Sequence, residues 1–147
     1  MHLVSSDRTV IGWREWAALP ELGVERIKVK IDTGARTSAL HATSIEPYEK
    51  DGERRVRFRL QPGRKESTIM PLRDARVVDT RDVTNSGGQV EKRFVIETDI
   101  VLGEQRWSME VTLTSRDTMK FKMLLGRTAM RGRLLVDPQR SFLTGRR

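Results

Sequence analysis

Short stretches in which apolar and polar residues strictly alternate recur along this chain and restrict it to β-structure. One of them places apolar side chains at every second position, at Trp107, Met109, Val111 and Leu113. Another runs from Arg55 to Leu60 and alternates arginine with an apolar residue. A period of two residues is typical of a strand that buries one face, so both stretches are predicted strands.

Turn signals separate these stretches. Asp51-Gly52 is typical of a tight hairpin, and Pro62-Gly63 and Gly103-Glu104 turn the chain again. Thr9 to Leu19 is predicted to be a strand that ends at the turn Pro20 to Gly23. Further strands are expected at Glu25 to Ile31, Ser38 to Tyr48, Glu53 to Leu60, Ser67 to Leu72, Ala75 to Val78 and Leu134 to Val136.

The last third of the chain adds a buried strand and a helix. Met123 to Gly126 is wholly apolar, as in a strand that is buried on both faces. Arg127 to Gly132 is long enough for about two turns of helix. Many short strands, frequent turns and one small helix predict an all-β fold, closed or nearly closed, that forms a single domain over residues 1–147.

The composition of the chain limits its partners, its chemistry and its cellular location. The 147 residues carry a formal charge of +8, which favours an acidic partner such as nucleic acid, an anionic membrane or an acidic polypeptide. Cysteine is absent, so neither disulfides nor thiol chemistry is available. No apolar run reaches the length of a membrane span, and the first residues lack the apolar core of a signal peptide. We therefore expect a cytoplasmic protein without a membrane partner.

Several kinds of chemistry lack the residues that they need. His2 and His41 are the only histidines and no His-Glu-x-x-His motif occurs, so a catalytic zinc site is not expected. A Gly-x-x-x-x-Gly-Lys loop for nucleotide phosphates is missing, and so is the nucleophile elbow of serine hydrolases. His41 is interpreted as a structural or surface residue, and no cofactor is expected.

One carboxylate is placed in a defined way. Ile27, Val29 and Ile31 alternate with lysines and lead directly to Asp32, Thr33 and Gly34. The threonine hydroxyl can hydrogen-bond locally, and the glycine can adopt backbone angles that other residues avoid. The tripeptide alone favours a turn that merely ends a strand, because it is short enough to occur by chance. The alternative is a turn that presents Asp32 for catalysis.

Carboxylates can hydrolyse peptides when two of them share one proton, since one activates water while the other protonates the carbonyl oxygen. This chain supplies one such turn. A symmetric homodimer would bring Asp32 and its twofold mate together at the axis.

Two motifs together resemble the retropepsin-type aspartic proteases. They are Asp32-Thr33-Gly34-Ala35 and, far downstream, Leu124-Leu125-Gly126-Arg127 with a short helix after it. More closely, the chain from Gly12-Trp13-Arg14-Glu15 to Leu135-Val136-Asp137-Pro138 resembles a bacterial family whose members are labelled ATP-dependent zinc proteases or retropepsin-like proteins. Some members are fused to or found with RimK-type ATP-grasp ligases, and one branch carries the name RimB. The residues of this chain give no support to the ATP and zinc of that label.

The resemblance implies roles for individual residues. Asp32 would be the catalytic carboxylate, Thr33 would brace the two loops of a dimer, and Gly34 would contact the substrate backbone. Ala35 would also lie in the substrate cleft. A polar hairpin tip between the two motifs stands where the family carries its flap, and its substrate-binding residues would be Thr84, Asn85, Ser86, Gly87 and Gly88.

The chain departs from the viral members at one position. Those enzymes usually place an acid after the alanine, where it pairs with the arginine that follows the second glycine. Here Arg36 takes that position, so it cannot form the ion pair with Arg127. Either Arg127 finds another acid, or both arginines face the cleft. In the second case the cleft would prefer acidic ligands, and a polyglutamate tail made by a RimK-type ligase is a natural candidate.

Two other classes of function stay open at this stage. One is a regulatory binding module that keeps the fold without catalysis and acts on a RimK-type ligase. The other is a basic β-barrel that binds RNA, which is less favoured because aromatic residues make up only 5% of the chain and stacking platforms are therefore scarce.

Overall fold

Eleven β-strands and one α-helix make up the part of the chain that the computed structural model describes, residues 8–65, 68–85, 87–116 and 120–145. The strands are β1 (Thr9–Ile11), β2 (Arg14–Leu19), β3 (Val24–Asp32), β4 (Ser38–Lys50), β5 (Glu53–Leu60), β6 (Arg73–Arg76), β7 (Asp79–Thr84), β8 (Val90–Leu102), β9 (Gln105–Thr114), β10 (Met123–Gly126) and β11 (Leu134–Val136). A 3₁₀ helix, Pro20–Leu22, precedes β3, and α1 covers Arg127–Met130. The prediction of an all-β fold with one short helix is confirmed.

Six of the strands form a closed ring. β3 pairs with β2, β2 with β8, β8 with β9, and β9 with β4. The short strand β10 closes the ring because it lies between β3, to which it is parallel, and β4, to which it is antiparallel. Closure satisfies the backbone groups that an open sheet leaves at its edges.

Two predicted hairpins lie on this ring. The first joins β4 to β5 through Asp51 and Gly52, whose φ angles of 54° and 76° are both left-handed, as the favoured two-residue turn requires. The second joins β7 to β8, which pair from Thr84 and Val90 outward. It is the predicted flap hairpin.

The hydrophobic core lies inside the ring and is formed by the apolar side chains of strands in which apolar and polar residues alternate. Its fully buried side chains include Leu40, Phe58, Ile96, Met123 and Leu125. Trp107 joins this core, and its indole Nε1 donates a hydrogen bond to the carbonyl oxygen of Ala129 at 3.1 Å, which seats α1 against the barrel.

The predicted strand from Thr9 to Leu19 is in fact two strands, β1 and β2. The break falls at Gly12 because the chain there packs directly against the backbone of Arg140, leaving no room for a side chain. Glu15 then turns inward from β2 and accepts a hydrogen bond from the Gly12 N–H at 2.7 Å. β1 leaves the ring and pairs with β11 instead.

Three other predicted boundaries were wrong. Residues 68–72 form no strand, and Ser67, where that strand was expected to begin, lies outside the described residues. The strand expected at Ala75 to Val78 lies earlier, at β6. Helix α1 has one turn rather than two, because the backbone of Arg131 takes extended angles (φ −56°, ψ 128°). None of the helices in the described ranges has the length and hydropathy that a membrane crossing would require.

Candidate active site

The Asp32 carboxylate lies where β3 ends and is held by the turn that follows. Its Oδ1 accepts hydrogen bonds from the backbone N–H groups of Gly34 at 3.1 Å and Ala35 at 3.2 Å. Two such bonds fix the orientation of the carboxyl group. Among the described residues nothing donates a hydrogen bond to Oδ2, and the side chain is half-buried. The turn therefore presents one oxygen of a positioned acid.

Gly34 was expected to adopt backbone angles that other residues avoid, but its φ angle is not positive. A left-handed backbone conformation is therefore not the reason for a glycine here. Instead, a Cβ at this position would lie 3.3 Å from Asp32 Oδ1, which is tighter than an ordinary contact. The missing side chain leaves space beside the carboxylate.

Strand β10 supports the turn from its other side. Gly126 lies opposite Asp32 in the parallel pairing of β10 with β3. A Cβ on Gly126 would meet the backbone of Thr37 at 2.7 Å, so only glycine fits. The Gly126 N–H donates to the hydroxyl of Ser38 at 3.0 Å, and Ser38 is fully buried. These contacts fasten the end of β10 to the start of β4.

Arg127 then clamps the turn itself. Its backbone N–H donates to the carbonyl oxygen of Ala35 at 2.9 Å, and its guanidinium Nη1 donates to that of Gly34 at 3.0 Å. The sequence alone left open whether this arginine finds an acid or faces a cleft, and the structure gives it a backbone carbonyl instead. It therefore braces the segment that carries Asp32 without an ion pair.

Arg36 joins the Asp32 turn to the start of α1 through its backbone carbonyl group. Its carbonyl oxygen accepts hydrogen bonds from the Thr128 N–H at 3.2 Å and the Thr128 hydroxyl at 2.7 Å. The Arg36 side chain is exposed, as is Thr33. The structure thus brings the predicted residues from Asp32 to Arg36 together with Arg127. Sequence reasoning assigned no role to Ser38 or Thr128, which lie three residues after the first motif and directly after the second.

The predicted flap residues lie at the tip of the β7–β8 hairpin. The Asn85 side-chain oxygen accepts hydrogen bonds from the N–H groups of Gly87 at 2.9 Å and Gln89 at 3.1 Å, so the tip is internally ordered. Thr84 and Gly88 are exposed, and Ser86 lies outside the described residues. The strands of this hairpin meet the barrel beside Thr114, whose hydroxyl donates to Glu91 at 2.8 Å. Within the described ranges, no hydrogen bond joins the tip to the Asp32 turn.

His41 has a structural position. The side chain is buried, and its Nδ1 accepts a hydrogen bond from the backbone N–H of Arg116 at 3.0 Å. This agrees with its interpretation as a structural residue, while His2 lies outside the described residues. In the described part of the chain, no group of three or more His, Cys, Asp or Glu side chains is arranged to hold a metal ion.

Two of the arginines on the outer face of β5 are paired with acids. Arg55 contacts Glu53 at 2.6 Å and Asp74 at 2.7 Å, and Arg57 lies 3.6 Å from Glu46. The hydroxyl of Tyr48 and, next, the guanidinium of Arg55 hold the pKa of Asp74 below its ordinary value. Much of the positive charge on this face is therefore already compensated.

A second group of cations lines a cavity of about 760 Å³ that does not include Asp32. The outer faces of β2 and β3 form one of its walls, and residues 62–64, 68, 70 and 120–122 form the others. Sequence reasoning did not find this cavity, because its cations come from four separate segments.

A family model described as the retropepsin-like aspartic endopeptidase RimB matches residues 10–147. Curated relatives include two proteins named probable alpha-L-glutamate ligase, from Shewanella halifaxensis (45% identical over 97% of this chain) and Parasynechococcus marenigrum (44% over 94%). The chain spans only 31% and 30% of their lengths, respectively.

A solved structure shares the fold. It is the crystal structure of Lpg0085 from Legionella pneumophila, a protein described as having unknown function. The two are 28% identical with a TM-score of 0.78, and the match covers 92% of this chain and 98% of the other. The fold, the clamped Asp32 turn and the family match agree, and the chain belongs to the RimB-like family of retropepsin-like proteins.

Proposed function

We propose that this chain forms one retropepsin-like domain over residues 1–147 that works as a homodimeric aspartic endopeptidase. The observation that carries the proposal is the Asp32 turn. One carboxylate oxygen is fixed by two backbone N–H groups, and the turn is clamped from behind by Gly126 and Arg127. A catalytic acid needs such support, because small displacements of a reacting group slow the reaction strongly.

The arrangement suits a site shared between two chains. Asp32 is half-buried and Thr33 is exposed beside it, so the turn can meet its twofold copy. In the dimer one carboxylate takes a proton from water, which attacks the peptide carbonyl, while its mate protonates the carbonyl oxygen. Collapse of the tetrahedral intermediate breaks the C–N bond, and the departing amine takes up the proton.

Acidic polypeptide is the substrate class that we assign to this site. The chain carries a net charge of +8, and the exposed Arg36 lies four residues beyond Asp32. The curated relatives are named as ligases of glutamate, and this chain matches less than a third of their lengths. An endopeptidase that accompanies a RimK-type ligase would meet glutamate-rich chains as its nearest substrate, in the cytoplasm where such ligases work.

The second candidate is a regulatory binding module that acts on a RimK-type ligase without hydrolysing peptides. The names of the curated relatives favour it, because the matched region belongs to proteins that are described by ligase activity alone. Both candidates keep the fold and the Asp32 turn.

A variant of Asp32, alone and mixed with wild-type chains, distinguishes the endopeptidase from the regulatory module. Asp32→Asn should abolish hydrolysis of a protein with an oligoglutamate tail, while sedimentation still shows a dimer. The matched control Asp51→Asn changes an acid in the β4–β5 turn and should leave hydrolysis unchanged. When wild-type and Asp32→Asn chains are mixed and allowed to exchange, activity should fall with the square of the wild-type fraction.

A linear fall would contradict the shared dyad, because each chain would then act alone. Stimulation of a RimK-type ligase by the Asp32→Asn protein, without any hydrolysis by the wild type, would favour the regulatory candidate.

A further inference from the structure

Among the described residues, six cations and one acid line the cavity on the outer face of β2 and β3. The cations are Arg14, Arg26, Lys28, Arg64, Lys120 and Lys122, and the acid is Glu25. Its volume of about 760 Å³ lies within the usual range for ligand-binding cavities. We call this cavity the basic groove, and we propose that it binds an acidic segment of polypeptide, separately from the Asp32 turn.

Five of the six groove cations have no acidic partner among the residues that the structure describes. Arg14, Arg26, Lys28, Arg64 and Lys120 make no ion pair with any carboxylate in the described ranges, in contrast to the paired arginines of β5. Like charges that are crowded into a concave site repel each other, and a bound polyanion relieves that repulsion. Carboxylates also form strong, often bidentate bonds with guanidinium groups.

Two of these cations are held in place by an aromatic ring. The guanidinium of Arg26 lies 4.0 Å from the centre of the Trp16 ring, and the ammonium of Lys28 lies 5.2 Å from it. Such contacts reduce the freedom that the side chains lose on binding. The groove is therefore organised before a ligand arrives.

The same contacts favour a carboxylate-rich peptide over RNA. The Trp16 ring is already covered by Arg26 and stacks on Phe142 at an interplanar angle of 20°. Phe121, the other ring in the lining, is buried edge-on against Trp13. Single-stranded RNA binding usually needs exposed rings on which bases stack. Carboxylates need only the cations.

The basic groove and the candidate active site share strand β3. Lys28 and Asp32 are four residues apart on β3, which corresponds to about 13 Å along a strand. An acidic segment in the groove would thus be anchored roughly four extended residues from the catalytic carboxylate. The inference deepens the proposed function, because it gives the acidic substrate a second point of attachment.

Binding can be measured without hydrolysis. The protein is used as the Asp32→Asn variant, and the probe is a fluorescein-labelled oligoglutamate of roughly six residues, about 20 Å long when extended. Two double variants each remove two charges from the groove: Arg26→Gln with Lys28→Gln acts on the β3 wall, and Arg64→Gln with Lys120→Gln acts on the other walls. The control is Lys92→Gln with Arg106→Gln, which removes two exposed charges outside the groove.

Each groove variant should bind oligoglutamate at least about tenfold more weakly, since one charge-assisted bond is worth about that factor. The control should stay within about twofold. Equal loss in all three variants would overturn the proposal, because net charge alone would then explain binding. Tighter binding of an oligouridylate of equal charge would also overturn it.

Hydrolysis and binding measurements together distinguish a failure of the proposed endopeptidase from a failure of the groove proposal. If the wild-type protein hydrolyses nothing but oligoglutamate binding depends on the groove, the endopeptidase is rejected and the groove stands. If hydrolysis depends on Asp32 but the groove variants bind normally, the groove is rejected and the endopeptidase stands.

Discussion

The guanidinium of Arg127 donates a hydrogen bond to the carbonyl oxygen of Gly34 at 3.0 Å, across 93 residues of sequence. The two residues come from the two motifs that carry the family resemblance, and they meet without a carboxylate between them. With an arginine at position 36, this chain braces its Asp32 turn through the backbone.

Arg127→Met keeps the length of the side-chain stem and removes its donors. We expect the free energy of unfolding to fall by about 1 kcal/mol, the usual net value of one hydrogen bond. The amides of Gly34 and Ala35 should exchange with deuterium faster than in the wild type, since the turn loses its clamp. Arg131→Met, at the end of α1, is the control, and unchanged exchange at Gly34 in Arg127→Met would contradict the clamp.

Gly126→Ala adds one methyl group where the backbone of Thr37 lies 2.7 Å from the new Cβ. Because the neighbour is backbone rather than a flexible side chain, the end of β10 must move. We expect a loss of about 1–3 kcal/mol in the free energy of unfolding, measured in urea. Gly87→Ala makes the same chemical change at the hairpin tip, where the nearest atom lies 3.4 Å away, and should cost much less.

Glu15→Gln tests a buried carboxylate that binds both ends of the described chain. Its two oxygens accept hydrogen bonds from the N–H groups of Gly12 at 2.7 Å, Leu143 at 2.8 Å and Thr144 at 3.1 Å, and from the Thr144 hydroxyl at 2.8 Å. An amide would turn an NH₂ group toward some of these donors. We expect a loss of about 2–4 kcal/mol on thermal unfolding, with the exposed Glu104→Gln as control.

Tyr48→Phe tests the pH dependence of one surface cluster. The hydroxyl of Tyr48, and after it Arg55, hold the pKa of Asp74 below its ordinary value of 3.8. A lowered folded pKa means that the stabilisation is present above pH 3.8 and is lost as the pH falls through the folded pKa. Asp74 is largely exposed, so the effect is below about 1 kcal/mol.

In Tyr48→Phe the pKa of Asp74, followed by carboxyl NMR, should move back toward 3.8. The variant should be less stable than the wild type at pH 7, and this difference should shrink as the pH falls through the folded pKa of Asp74. A difference that does not shrink in acid would show that packing of the ring, rather than ionisation of Asp74, is responsible.

The strands were predictable where local pattern and tertiary structure agree. β5 begins and ends at the predicted residues because its arginines alternate with core residues and Asp51-Gly52 fixes its start. The break between β1 and β2 was not predictable, since it depends on Arg140, which is distant in sequence. The short helix depends likewise on the turn of the backbone at Arg131.

The candidate site was predictable in its members but not in its contacts. Asp32 and Arg127 stand out in the sequence through their motifs, whereas the Ser38 hydroxyl that holds Gly126 is one serine among several. Glu15 lies in the Gly12–Glu15 stretch that contributes to the family resemblance, but only the structure reveals that it binds the segment around Leu143. The basic groove depends on the packing of residues 62–64 and 120–122 beside β3, for which local pattern gives no signal.

The position of β10 between β3 and β4 also sets an order of events during synthesis. Asp32 leaves the ribosome early, but its turn gains Gly126 and Arg127 only after more than ninety further residues have been made, because the clamp spans 93 residues. Contacts of such long range form late in folding. A nascent chain therefore carries Asp32 on an unfinished turn until β10 has closed the barrel.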